Sequence, residues 1–70
     1  MKITYKGKEK TFLSSLEANR FMGAHIPEML YSMVTPELYY EFDRHEFWDD
    51  GSEMTGEEWV MVTTELLILN

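Results

Sequence analysis

The sequence predicts one small α+β domain over residues 1–70: an N-terminal β-hairpin, two or three short helices, and a C-terminal strand that joins the sheet. Three observations carry this. Two β-favouring segments flank Lys6-Gly7 near the start, helix-start signals recur through the middle, and β-branched residues are concentrated near the end.

Ile3-Thr4-Tyr5 and Thr11-Phe12 are the two strands of the hairpin, with Lys6-Gly7 as its turn. Ser14-Ser15-Leu16-Glu17 then forms a capping box, in which the hydroxyl and the carboxylate satisfy free backbone N–H groups. The helix it opens is expected to bury Leu16, Ala18, Phe21 and Met22, and Gly23 is placed to end it. Pro27 suits the first turn of a second helix, where its missing N–H is no loss. Ile26, Met29, Leu30, Met33 and Val34 follow helical spacing, the cleanest stripe in the chain. Met22, Met29 and Met33 at that spacing read as core.

Thr35-Pro36-Glu37 is a further start signal of cap, proline and an acid near the positive helix end. Leu38, Phe42 and His45 fit a helix after it, while Leu38, Tyr40 and Phe42 fit a strand; the start signal favours a short helix. Asp49-Asp50-Gly51-Ser52 is a turn. Trp59 to Thr64, extended by Leu66 to Leu69, reads as the closing strand. The competing reading is a helix capped by Thr55, with Glu58 three residues on. As a strand it is apolar on both faces, with Val60, Val62, Leu66 and Ile68 on one and Trp59, Met61, Leu67 and Leu69 on the other. Two short helices hardly cover both, so the strand suggests a homodimer or a partner on the second face.

A domain this short gains roughly 3–5 kcal/mol from its core unless something staples it. The chain has no cysteine, which removes disulfides and thiolate metal sites from consideration. Hydrophobic residues at 44% and aromatics at 14% are enough for a folded core. No signal-peptide pattern opens the chain and no apolar run is long enough for a bilayer, so a cytoplasmic protein with no membrane partner is expected.

Charge carries more information. The total is −7, unevenly spread: residues 1–20 are net +3, whereas residues 37–58 set nine carboxylates against Arg44 alone. Aromatics are interleaved with those acids. Carboxylates at this density can imitate a nucleic-acid backbone, whose phosphates recur about every 3.4 Å along each strand. The expected partner-binding face therefore comprises Glu41, Asp43, Glu46, Phe47, Trp48, Asp49, Asp50, Glu53, Glu57 and Glu58, with Phe47 and Trp48 as desolvated anchors. Its partner would be a basic, nucleic-acid-binding protein. An acidic solvated surface with inward aromatics is the bland alternative.

Other chemistries are poorly supported. Glu46, Asp50, Gly51, Ser52 and Glu57 fall at EF-hand spacing, but Trp48 stands where an oxygen ligand belongs, so no metal site is assigned. His25 and His45 lack a nucleophile or a convergent ligand set, Ser14 and Ser15 serve as caps, and no glycine-rich phosphate loop occurs. No catalytic residue and no cofactor are assigned. Glu28, Met29, Tyr31 and Ser32, the reading positions of a helix-turn-helix, include no Lys or Arg, which argues against direct nucleic-acid binding. The N-terminal lysines read as protection of a sheet edge. The sequence thus points to a non-enzymatic inhibitor or regulator, a profile shared with small acidic inhibitors of phages and mobile elements. The second reading is a homodimeric scaffold with a merely solubilising acidic face.

Overall fold

The computed structural model describes residues 1–23 and 34–69. Strands β1 (Lys2–Tyr5) and β2 (Lys8–Thr11) form an antiparallel hairpin in which Tyr5 pairs with Lys8 and Ile3 with Lys10. Lys6 (φ 50°) and Gly7 (φ 81°) both take left-handed backbone values, giving the two-residue mirror-image turn whose twist suits paired strands. The outward residues are largely charged, while Ile3 and the following Phe12 enter the core.

Helix α1 (Ser15–Phe21) begins at the expected cap. Ser14 Oγ accepts from the Glu17 N–H at 3.2 Å, and Glu17 returns its carboxylate to the N–H of Leu13, one residue before the cap. Ala18, Phe21 and Met22 are buried, but Leu16 is exposed. The second helix expected from Pro27, with its stripe from Ile26 to Met33, lies outside the described residues, as does His25; Val34 packs against the core.

Helix α2 (Pro36–Glu41) starts where cap and proline direct it, with Thr35 Oγ1 accepting from Leu38 N–H at 3.3 Å. Its buried residue is Tyr39, with Leu38 half-buried; Tyr40 and Phe42 face outward. Neither apolar set expected from the sequence is the one that turns inward.

The C-terminal segment corrects the sequence reading. Gly56–Leu69 is a single helix, α3, and no strand from it joins the hairpin. Thr55 Oγ1 accepts from Glu58 N–H at 3.2 Å while Glu58 Oε1 accepts from Thr55 N–H at 2.8 Å, a complete capping box. Val60, Val62, Thr63 and Thr64 each lower helix propensity by no more than about 0.7 kcal/mol. That penalty is smaller than the gain from the helical set Trp59, Val62 and Leu66, all buried and each worth about 1.5–3 kcal/mol or more when removed from water. Packing overrides β propensity here.

Helix α3 packs against α2 and β1, and the core joins Ile3, Phe12, Phe21, Met22, Tyr39, Trp48, Met54, Trp59, Val62 and Leu66. The C-terminal end of α1 is tied to this core by two donors on one carbonyl. Phe21 C=O accepts from the Arg44 guanidinium at 2.6 Å and from the Trp59 indole N–H at 2.9 Å, and the guanidinium lies 5.3 Å from the Trp59 ring centre.

Candidate partner-binding face

The acidic segment between α2 and α3 is folded around one phenol. Tyr39 Oη accepts from Glu46 N–H and donates to Met54 C=O, each at 3.0 Å, so both ends of the segment meet it. Burial pushes the phenol's pKa up, partly offset by the Glu46 N–H, which keeps the hydroxyl as a donor. Between these ends the chain doubles back on itself. Met54 N–H bonds Glu46 C=O, Trp48 N–H bonds Ser52 C=O, both at 2.8 Å, and Phe47 sits opposite Glu53. Alternation along this extended pair turns Trp48 and Met54 inward and His45, Phe47 and Glu53 outward.

This arrangement divides the residues expected to bind a partner. Trp48 is withdrawn from any such role: it is 2% exposed, and its ring lies nearly parallel to Tyr5 at 6.5 Å. The alternation that exposes Phe47 requires the burial of its neighbour. Glu46 points toward Arg44 (4.0 Å) and Lys10, and burial raises its carboxyl pKa despite both cations. Glu58 is used by the α3 cap and lies 3.8 Å from Lys8; burial acts to raise its pKa, but the Thr55 N–H and Lys8 act the other way and its pKa is lowered on balance.

Asp49 closes the outer edge of β2. Its N–H donates to Glu9 C=O at 2.8 Å, and its carboxylate accepts from both the Thr11 N–H (3.0 Å) and hydroxyl (2.6 Å). Those two Thr11 bonds, hydroxyl first, hold its pKa below the usual range. Lys10 reinforces the junction by donating to Phe47 C=O at 2.9 Å. Asp50 accepts from the hydroxyl and N–H of Ser52, which lower its pKa in the same way. Gly51 (φ 89°) completes this turn.

Glu41, Asp43, Glu53 and Glu57 remain, all exposed and none within ion-pair distance of a Lys or Arg among the described residues. Asp43 and Glu53 flank one imidazole: His45 Nε2 is 3.5 Å from Asp43 and Nδ1 is 3.5 Å from Glu53. Phe47 (45% exposed) shares this outward side, and Phe42 (66% exposed) adjoins Asp43 in the chain. Phe42 and His45 are not among the residues expected to bind a partner; only the pairing of Phe47 with Glu53 brings His45 beside Glu53.

Other chemistry finds less. Asp50 is engaged with Ser52 and Glu46 is turned toward Arg44 and Lys10, so the EF-hand spacing does not become an EF-hand site. Among the described residues no three His, Asp or Glu side chains converge in a way that could hold a metal ion. A cavity of about 220 Å³ is lined by Lys10, Phe12, Glu17, Arg20, Phe21 and Glu46. No helix among the described residues is long and apolar enough to cross a membrane. No family model, curated protein or solved structure matches the chain.

Proposed function

We propose that the protein is a non-enzymatic inhibitor or regulator in the cytoplasm, whose 37–58 face engages a basic surface of a nucleic-acid-handling protein. The observation supporting it is the outward edge carrying Asp43, Glu53 and Phe47, joined in sequence by Glu41 and Phe42. Carboxylates without a balancing cation supply a negative field, and exposed phenyl rings supply the contact area that a purely electrostatic encounter lacks. Asp49 and Asp50, held ionised by their hydrogen bonds, add to the field, although Lys8 and Lys10 lie nearby and weaken it. The mimicry is therefore concentrated at the Asp43–Glu53 end and not spread evenly over the segment.

The test is capture of basic nucleic-acid-binding proteins at low and high salt, compared between the native chain and Asp43→Lys with Glu53→Lys. Both side chains are exposed, but Asp43 stands at φ 53°, which Asp tolerates better than Lys, so circular dichroism first verifies that the variant keeps the fold. Binding that collapses with salt and with the charge reversal supports the reading; binding indifferent to both disposes of it.

A homodimeric scaffold is the second reading. Its original support, a strand with two apolar faces, is gone, but α3 retains outward Met61, Ile68 and Leu69. A clean monomer by light scattering at high concentration counts decisively against it.

A further inference from the structure

The two edges of the hairpin are treated differently. Met1 and Phe12 exchange backbone hydrogen bonds: the Met1 amine donates to Phe12 C=O at 3.0 Å, and Phe12 N–H to Met1 C=O at 2.7 Å. Ile3 stands opposite Lys10 and Tyr5 opposite Lys8, so alternation along an antiparallel ladder makes these the next bonded pairs. The backbone groups of Lys2 and Thr4 on β1, and of Glu9 and Thr11 on β2, therefore point away from the hairpin. On β2 that outward row is met: Glu9 C=O accepts from Asp49 N–H, and Thr11 N–H donates to the Asp49 carboxylate. On β1, the N–H and C=O groups of Lys2 and Thr4 have no hydrogen-bond partner among the described residues, and both residues are exposed. Such a row of backbone donors and acceptors is a template for one more extended chain.

Charge selects which chain. The β1 strand and its turn carry the N-terminal amine, Lys2 and Lys6, and no carboxylate. Lys2 is 3.5 Å from Glu9 across the sheet, whereas Lys6 makes no ion pair among the described residues. A second copy laid against this edge would bring the same cations to it, which is how lysines keep like strands from pairing. An acidic strand is attracted instead. The two faces of β1 set its pattern: Ile3 and Tyr5 turn toward the core, Lys2 and Thr4 toward solvent. A strand added here places every second side chain beside Ile3 and Tyr5 and the intervening ones beside Lys2. We propose that the β1 edge takes up an extended segment of a partner protein in which apolar and acidic residues alternate, bonded to the backbone of Lys2 and Thr4.

The experiment uses the full chain and a fluorescently labelled peptide of alternating Val and Glu, with binding read by anisotropy and by hydrogen exchange at the Thr4 amide. An alternating Val/Lys peptide and a Val/Glu peptide methylated at its backbone nitrogens serve as comparisons. Saturable binding of the unmethylated Val/Glu peptide alone is expected, and it should slow Thr4 exchange by about tenfold or more. Thr4→Pro removes the outward donor and leaves the ladder to β2 intact, so it should weaken binding by roughly tenfold or more. Lys2→Gln with Lys6→Asn, asparagine suiting the left-handed backbone at position 6, should flatten the salt dependence. The methylated peptide provides the backbone test should the proline unfold the hairpin. Absence of Val/Glu binding, equal binding of either comparison peptide, or a Thr4 N–H already protected in the free chain overturns the proposal. Sedimentation as a dimer that Thr4→Pro dissociates also overturns it, by giving the edge to a second copy. Asp43 and Glu53 are untouched throughout, so failure here is separable from failure of the proposed acidic interface.

Discussion

Replacing Gly56 by alanine should destabilise the protein, although local helix propensity argues the opposite. Alanine is favoured over glycine inside a helix by up to about 1 kcal/mol. At Gly56 the added methyl would stand 2.9 Å from Pro36 Cβ, from the Pro36 carbonyl oxygen and from Tyr40 Cε2. Two of those atoms belong to the first turn of α2, a proline ring and a backbone oxygen, and cannot rotate aside. Gly56 also donates its N–H to Tyr40 Oη at 3.2 Å, so moving Tyr40 weakens the bond that joins the two helix starts. Overpacking costs about 1–3 kcal/mol, and with two unyielding atoms at 2.9 Å the upper part of that range, about 2–3 kcal/mol, applies; subtracting a propensity gain of about 1 kcal/mol leaves a net loss of about 1–2 kcal/mol. For a domain of this length that lowers the melting midpoint by roughly 4–16 °C. Urea unfolding and thermal melts followed by circular dichroism provide the measurement. A Gly56→Ala protein as stable as the native chain, or more so, would refute the close approach of α2 and α3. Combining it with Tyr40→Ala should give less than the sum of the two losses, because one of the three clashing atoms is then gone.

Tyr39→Phe removes a hydroxyl that serves both Glu46 N–H and Met54 C=O, and a loss of about 1–3 kcal/mol is expected in the same unfolding assay. Thr63 is fully buried and its hydroxyl has no hydrogen-bond partner among the described residues, so Thr63→Val should raise stability by about 1 kcal/mol; a loss would mean that the hydroxyl is satisfied. Asp49 and Glu46 should act in opposite directions with pH. Asp49 has a lowered folded pKa, so its contribution is present above the ordinary Asp range and disappears as pH falls through the folded value. The deficit of Asp49→Asn should therefore be evident at neutral pH and fade in acid. Glu46 has a raised folded pKa, so its stabilising form is the protonated one, lost as pH rises through the folded value. Glu46→Gln should accordingly exceed the native chain in stability near neutrality, with the advantage vanishing below the ordinary Glu range. Parallel stability–pH curves for native and variant proteins would contradict these assignments.

The features legible in the sequence are those fixed by short-range chemistry. Ser14 with Glu17, Thr35 with Pro36, and Lys6-Gly7 each announced a structure that a few adjacent residues could make alone. The Thr55–Glu58 box was equally visible, but the β-branched run after it argued for a strand, and only the packing of Trp59, Val62 and Leu66 decides between them. The phase of α2 was illegible for a related reason. Tyr39 is buried because its hydroxyl finds Met54 C=O, a partner 15 residues away that no local pattern reveals. In the acidic face, composition identified the right segment but not which members were free. Glu46, Asp49 and Glu58 are taken up by Arg44, Thr11 and Thr55, and the alternation that sorts Phe47 from Trp48 depends on a pairing with Ser52 and Glu53. Charge density alone does not distinguish a carboxylate that closes a loop from one left facing water.

The seal that Asp49 places on β2 also orders events during synthesis. The hairpin is complete once Thr11 has emerged, yet the residue that covers its flank arrives 38 positions later. At roughly 5–20 residues per second of translation, that flank stays unprotected for a few seconds on the ribosome. Through that interval the lysines of β2, mutually repelling between neighbouring nascent chains, are the chain's own guard against sticking to another strand.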